Sequence, residues 1–97
     1  MFVITLEYIK PLSEIEQFLP EHMVYLERYY ADGTFLLSGR QNPRVGGVII
    51  AQAASREEMM RIVAEDPFFG AGVAEYKVIE FLPTKTAPGM ERLRVTA

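Results

Sequence analysis

The only histidine of the chain, His22, is the side chain best suited to acid–base chemistry near neutral pH. Read as a helix, residues 21–31 place His22 on one apolar stripe whose members are three or four residues apart. The other members of this stripe are Tyr25, Leu26, Tyr29 and Tyr30. The pattern predicts an inward-pointing histidine. It leaves open whether that histidine is a packing residue bonded to backbone or tyrosine, or a catalytic or ligand-binding group.

Asp66 is the predicted partner of His22. It precedes Pro67-Phe68-Phe69 at the end of the second predicted helix, and this loop can lie at the same end of the fold as the start of the first helix. A carboxylate bonded to one imidazole nitrogen fixes the tautomer and makes the other nitrogen a better base. The alternative is that Asp66 only caps its own turn, as is common in Asp-Pro sequences.

Two arginines are candidates for holding an anionic or carbonyl group of a substrate. Arg40 follows Ser38-Gly39, and its planar guanidinium can form a forked hydrogen bond to such a group. The Ser38 hydroxyl could assist. Arg44 lies in a predicted turn and has the same possible role. For both arginines the alternative is a solvated cation, unpaired or paired with a glutamate, that binds no ligand.

Three aromatic residues are predicted to line a mostly apolar pocket: Phe68, Phe69 and Tyr25. Adjacent aromatics after a helix, and aromatics at helical spacing, are also typical of ordinary core packing. The sequence therefore predicts a small-molecule site without identifying its ligand.

Composition excludes several other classes of site. One histidine and no cysteine cannot build a structural zinc site, so no metal is expected. The net charge is −3 with scattered basic residues, which argues against nucleic acid as a partner. The sequence contains no run of about 18 apolar residues, so no membrane span is predicted. The first ten residues are typical of a strand rather than a signal peptide, and the lack of cysteine fits a cytoplasmic location.

The pattern of elements predicts a βαββαβ order. The strands are expected at residues 2–9, 34–40, 45–53 and 73–82, and the helices from Pro20 to Asp32-Gly33 and from Ser55 to Asp66-Pro67. Ser55 and Glu58 form a capping box at the start of the second helix, and its buried stripe is predicted to be Met59, Met60, Ile62 and Val63. Residues 11–19 are interpreted as a connection. With right-handed crossovers this order gives a ferredoxin-like plait, a four-stranded antiparallel sheet with both helices on one face. The predicted domain spans 1–83, and 84–97 form a C-terminal tail.

Both faces of the predicted sheet are apolar. The third strand contains Val48, Ile49, Ile50 and Ala51 in succession, whereas a sheet with one wet face should alternate apolar and polar residues. Two helices cover only one face. The other face would expose more apolar surface than monomers usually do, so the sequence predicts a homodimer with the sheets packed face to face.

The chain resembles the YciI-like family of small proteins over about residues 1–83. The resemblance is carried by His22 in PEHMVYLERYYADG, by Ser38-Gly39, by Gly47, and by the Asp66-Pro67-Phe68 motif in FLLSGRQNPRVGGVIIAQAASREEMMRIVAEDPFFGAGVAEYKVIEFLP. It implies the dimeric α+β barrel fold and an active-site pair formed by the histidine and the aspartate. Arg40 departs from the proline that many relatives carry after Ser-Gly, so a relative's substrate does not transfer directly.

These observations predict an enzyme acting on a small cyclic or aromatic compound by elimination, isomerisation or dehalogenation, with no cofactor. His22 would be the general base, Asp66 would orient it, and Arg40 with Ser38 would hold developing negative charge. The alternative is a non-catalytic module that binds a metabolite or assembles with a partner. Haem binding through His22 is a third alternative, and it would require a cavity large for 97 residues.

Overall fold

The computed structural model describes residues 1–95. Its strands are β1 (Phe2–Tyr8), β2 (Phe35–Arg40), β3 (Gly46–Ala51) and β4 (Ala74–Glu80). Its α-helices are α1 (Leu12–Ala31), α2 (Arg56–Ala64) and the short α3 (Pro67–Gly70), and a single 3₁₀ turn covers Glu91–Leu93. Every predicted strand is present, with its ends displaced by one or two residues.

The four strands form one antiparallel sheet in the order β2-β3-β1-β4, so the predicted plait is confirmed. The central strand β1 shows why the helices cover one face. Phe2, Ile4 and Leu6 alternate along it and are at most 2 % exposed, whereas Val3 and Thr5 between them remain partly accessible. The even-numbered residues of β1 therefore build the core beneath the helices.

Helix α1 begins at Leu12, which corrects the prediction of a start at Pro20. Pro20 lies inside the helix, where it lacks the N–H for one helical hydrogen bond. The apolar stripe compensates for this loss because it continues before the proline. Ile15 is fully buried, and Phe18 and Leu19 pack partly against the core. Tertiary burial therefore extends the helix through a residue that usually ends one.

The segment after β3 follows the predicted capping signals more closely. Ser55 caps α2 by accepting a hydrogen bond from the Glu58 N–H at 3.1 Å. The helix ends before Asp66-Pro67, as predicted. Pro67 then occupies the first turn of α3, a short helix that the sequence analysis interpreted as a turn. Met60, predicted to lie on the buried stripe of α2, is 44 % exposed.

A β-bulge in β2 decides which side chains face the helices. Phe35 pairs with Ala51, but the register shifts before Leu37, so that Ser38 pairs with Ile49 and Arg40 with Gly47. Ala51, Ile49 and Gly47 all lie on the helix side of β3. The extra residue at the bulge therefore places Ser38 and Arg40 on the same face as Phe35, where strict alternation would have put them on the opposite one.

The face of the sheet away from the helices keeps an apolar character. Leu37 and Ile79 are 58 % and 44 % exposed, and Val3, Val48 and Ile50 are partly accessible. Beyond β4, the Val95 N–H donates to the Pro83 carbonyl and closes the tail into a loop; residues 96–97 of the predicted tail lie outside the described residues. None of the helices within residues 1–95 combines the length and hydropathy of a membrane span.

We expect Ile15→Ala to lower the free energy of unfolding by about 2–5 kcal/mol, because it removes a fully buried side chain from α1. Val24→Ala is the matched control on the same helix, since Val24 is 71 % exposed, and it should cost no more than ~0.5 kcal/mol. Urea unfolding measures both values. Equal effects of the two substitutions would contradict a packed helix before Pro20.

Candidate active site

His22 and Asp66 meet in the interior of the domain. The His22 Nδ1 lies 2.8 Å from the Asp66 Oδ1, and the two residues are 8 % and 1 % exposed. An ionised carboxylate only accepts hydrogen bonds, so Nδ1 carries the proton in this pair. The Nε2 nitrogen is then left with a free lone pair, as a general base requires.

Asp66 also holds its own surroundings together. Its Oδ1 accepts a second hydrogen bond from the Phe68 N–H at 3.0 Å, which caps α3. Its Oδ2 accepts one from the Tyr76 hydroxyl at 2.5 Å. Both roles considered for Asp66, turn cap and histidine partner, are thus present in its hydrogen bonds at the same time. Each carboxylate oxygen is satisfied, which offsets the cost of burying the charge.

The His22 ring is also held by stacking. It lies parallel to the Phe68 ring, with centroids 4.1 Å apart and planes 8° from parallel. The cap on α3 places Phe68, because Asp66 bonds the backbone N–H of that residue. The same carboxylate therefore fixes the imidazole directly through Nδ1 and indirectly through the ring beneath it.

A cavity of about 510 Å³ opens beside His22, between α1 and the helix side of the sheet. This volume lies within the range of small-molecule sites, roughly 300–1,000 Å³. Its apolar wall includes Leu6, Leu19, Leu26, Ile49 and Phe68. Its polar residues are Tyr8 from β1, His22 and Glu16 from α1, Ser38 and Arg40 from β2, and Arg44 from the turn after β2.

Gly47 keeps the floor of this cavity open. A Cβ atom there would lie 3.2 Å from the Gly39 carbonyl oxygen and 3.6 Å from the Leu6 side chain, and all three residues line the cavity. A larger side chain would therefore project into a space that is already tightly bounded. The absence of a side chain at Gly47 leaves room for a ligand beside His22.

The structure brings together some of the residues predicted to line the pocket and separates others. Ser38, Arg40 and Phe68 line the cavity, as does Arg44. Tyr25 and Phe69 do not. The Tyr25 hydroxyl donates to the Ile62 carbonyl at 2.8 Å within the core, whereas Phe69 is 47 % exposed.

Tyr30 corrects one detail of the predicted helix stripe. It is 38 % exposed rather than inward-pointing, because it lies at the edge of the stripe near the end of α1. Its hydroxyl lies 2.5 Å from the Ser38 Oγ. This contact orients the serine at the rim of the site.

Tyr76 and Glu16 are polar residues at the site that were not predicted from the sequence. Tyr76 lies in β4 opposite Leu6, so strand alternation would have placed it on the helix side once the register was known. Glu16 belongs to the segment interpreted as a connection, and only a helix beginning before Pro20 carries it to the cavity. Both omissions follow from tertiary features rather than from a missing motif.

The phenols around the pair remain protonated over the physiological pH range. Burial and the nearby charge of Asp66 raise the pKa of Tyr76 well above its usual range. The same two causes raise the pKa of Tyr25. Burial, together with a 2.7 Å hydrogen bond to Glu65, raises the pKa of Tyr29 to about 12. Tyr76 is therefore a hydrogen-bond donor to Asp66 rather than a source of negative charge.

Within residues 1–95, no group of three or more His, Cys, Asp or Glu side chains lies close enough together to hold a metal ion.

The chain matches a known protein family and resembles solved structures. The model of the family described as the YCII-related domain matches residues 1–82. Among the solved structures that match is a 5-chloro-2-hydroxyhydroquinone dehydrochlorinase from Burkholderia phenoliruptrix AC1100 in complex with 2,5-dihydroxybenzoquinone. It is 22 % identical, with a TM-score of 0.70, over 84 % of this chain and 93 % of that chain, a likeness that concerns the fold. No curated protein matches.

We expect Tyr76→Phe to lower the free energy of unfolding by about 1.5–3 kcal/mol, because a hydrogen bond to a buried carboxylate is lost. The His22 Nδ1–H proton signal should also move further downfield, since Asp66 then shares its charge with one donor fewer. NMR in water detects this signal without ambiguity because the chain has one histidine.

Tyr8→Phe is the matched control for this substitution. The Tyr8 ring packs on Phe68, but within residues 1–95 its hydroxyl makes no hydrogen bond. It should change stability by no more than ~0.5 kcal/mol and leave the His22 signal in place. A Tyr76→Phe protein that is less stable but has an unmoved signal would show that Tyr76 supports the fold without acting on the pair.

Proposed function

Since the chain belongs to the YCII-related domain family, we propose that it is a small-molecule enzyme that uses the His22–Asp66 pair for acid–base catalysis without a cofactor. The observation that carries the proposal is the 2.8 Å hydrogen bond from His22 Nδ1 to a buried carboxylate, beside a cavity that His22 itself lines. With Nδ1 bonded to Asp66, Nε2 is the ring nitrogen left to act on a substrate in that cavity.

In the proposed reaction, His22 Nε2 removes a proton from a hydroxyl group or from a carbon next to a carbonyl. The electron pair left behind moves into the ring of the substrate. In an elimination or dehalogenation it expels a leaving group as X⁻, so that the substrate loses HX overall; in an isomerisation the proton returns at another carbon. Asp66 stabilises the imidazolium and holds its orientation. No electron acceptor is needed, because loss of H⁺ and X⁻, or movement of a proton, removes no net electrons from the substrate.

Arg40 and Ser38 are proposed to stabilise the negative charge that develops on the substrate oxygen. Both face the helix side of the sheet because of the bulge in β2, and both line the cavity with His22. A guanidinium and a hydroxyl positioned before the reaction stabilise such charge more effectively than water does, because they need not reorient. The apolar wall formed by Phe68 and neighbouring leucines favours a cyclic or aromatic substrate.

The second candidate is a non-catalytic module that binds a metabolite or assembles with a partner in the same fold. The observation that favours it is the structural work of Asp66, which caps α3 and accepts a hydrogen bond from Tyr76. These contacts would account for a buried aspartate without any reaction. Under this alternative, ligand binding in the cavity would survive the loss of the histidine base.

We also propose that two copies of the chain pack sheet to sheet into a dimeric α+β barrel. The sheet face away from the helices supports this arrangement, since Leu37 and Ile79 are strongly exposed and Ile50 is partly accessible at its centre. Covering an apolar face of this kind removes it from water, which is the main driving force for association.

Catalysis is tested with 5-chloro-2-hydroxyhydroquinone and a panel of small cyclic ketones, each ketone with and without a carboxylate substituent. Chloride release is followed for the first compound, and exchange of acidic C–H protons with D₂O for the ketones. We expect His22→Gln to slow the observed reaction by about 10²–10⁴-fold, because general base catalysis contributes that much. Asp66→Asn should also slow it, since the imidazolium loses its charged partner.

Val24→Gln is the matched control, because it introduces the same side chain two residues further along α1, at a position that is 71 % exposed and does not line the cavity. It should retain most of the rate. Compounds that bind in the cavity but react no faster with the native protein than with His22→Gln would favour the binding-module candidate.

The dimer is tested by sedimentation equilibrium. The native chain should sediment at twice its monomer mass, and Ile50→Glu should shift it to the monomer by placing a charge at the centre of the apolar face. Val24→Glu adds the same charge on the exposed side of α1, at a residue 71 % exposed, and should leave the mass unchanged. A native protein that sediments as a monomer would contradict the proposed assembly.

A further inference from the structure

We infer that the cavity is specific for a ring compound bearing a carboxylate, which binds Arg44 in place of the Glu16 side chain. The inference rests on the proposed function of the cavity as a substrate site and specifies the class of compound it takes. In the structure the Glu16 carboxylate lies beside Arg44, at the place that the ligand carboxylate would take.

The charge of the cavity differs in sign from that of the whole chain. The chain carries a net charge of −3, yet the charged side chains that line the cavity are Arg40 and Arg44 against the single Glu16. An acidic protein with a locally positive cavity attracts small anions to that cavity and repels them elsewhere. The distribution therefore favours an anionic ligand over a neutral or cationic one.

The contact between Arg44 and Glu16 is weak enough to be replaced. It consists of one approach, Arg44 Nη1 to Glu16 Oε1, at 3.5 Å. The Glu16 side chain is 58 % exposed, so it can return to water with little loss. A free carboxylate can instead form two parallel hydrogen bonds to the guanidinium, at about 2.7–2.9 Å, which are shorter and stronger.

Arg40 strengthens the preference of the cavity for an anionic ligand. Within residues 1–95 its side chain makes no ion pair, and it lines the same cavity as Arg44. Its guanidinium therefore adds positive potential for the ligand and remains available for the oxygen at which charge develops. Arg44 thus binds the permanent charge of the ligand carboxylate. Arg40 stabilises the charge that develops on the substrate oxygen during the reaction.

The remainder of the cavity defines the rest of the ligand. Leu19 and Leu26 from α1, and Phe68 stacked on His22, present apolar surface in the same cavity as the arginines and the imidazole. A flat ring fits such a wall, with its carboxylate at Arg44 and its acidic proton at His22 Nε2. The class inferred is therefore an aromatic or cyclic carboxylic acid in its ionised form.

The test compares benzoate with benzamide, its neutral counterpart of the same shape. Each is titrated into the native protein at constant ionic strength, and binding is read from the ring proton signals of the single histidine. We expect benzoate to bind about tenfold more tightly than benzamide, the value of one charge-assisted hydrogen bond pair. This readout requires no turnover.

Two variants should shift benzoate affinity in opposite directions. Arg44→Gln should weaken benzoate binding about tenfold, whereas Glu16→Gln should tighten it several-fold by freeing the guanidinium. Neither should alter benzamide binding. Arg28→Gln and Glu57→Gln are the matched controls, because they make the same changes of net charge outside the cavity and should leave benzoate affinity within about twofold.

Equal affinities for benzoate and benzamide, or no binding of either, would overturn the inference. So would an equal loss of benzoate affinity in Arg28→Gln and Arg44→Gln, which would indicate net charge rather than a site. Weaker benzoate binding in Glu16→Gln would overturn the exchange with Arg44. Selective benzoate binding by a protein without activity would contradict the proposed catalysis alone, whereas activity on neutral rings without benzoate selectivity would contradict this inference alone.

Discussion

The buried carboxylate of Asp66 is the constraint on which the site depends. A charge that is only 1 % exposed must be matched by donors, and three of them converge on it from different elements. They are the His22 imidazole from α1, the Phe68 N–H from α3 and the Tyr76 hydroxyl from β4. Removing any of these donors would leave part of the charge unsatisfied, so the three elements are bound to one geometry.

The tyrosines of α1 extend this constraint to the end of α2. Tyr25 donates to the Ile62 carbonyl, and Tyr29 donates to Glu65 at the helix terminus. These bonds hold the last turn of α2 against α1, directly before Asp66. The aspartate is thereby delivered to His22 by packing that has no chemical role of its own. The hydrogen bonds of the core and those of the site thus form one connected network.

Local sequence patterns were sufficient for the fold and for the two central residues of the site. The alternation of Phe2, Ile4 and Leu6 predicted a strand, and Ser55 with Glu58 predicted the start of a helix, because each pattern depends on neighbours within one turn or one strand. His22 was identified from helical periodicity and Asp66 from its place before proline. Their contact was predicted from the chain topology together with the family resemblance, but the length of the hydrogen bond and the burial of Asp66 were not.

The order of elements, the buried stripe that contains His22 and the capping position of Asp66 could all be predicted, since they follow from short-range periodicity and backbone chemistry. The run of α1 through Pro20, the bulge that turns Ser38 and Arg40 toward the helices, and the contact of Tyr76 with Asp66 could not. Each of these depends on contacts between residues far apart in the chain. A propensity that disfavours proline inside a helix is overridden when Ile15 gains a core to pack against, and no local pattern contains that information.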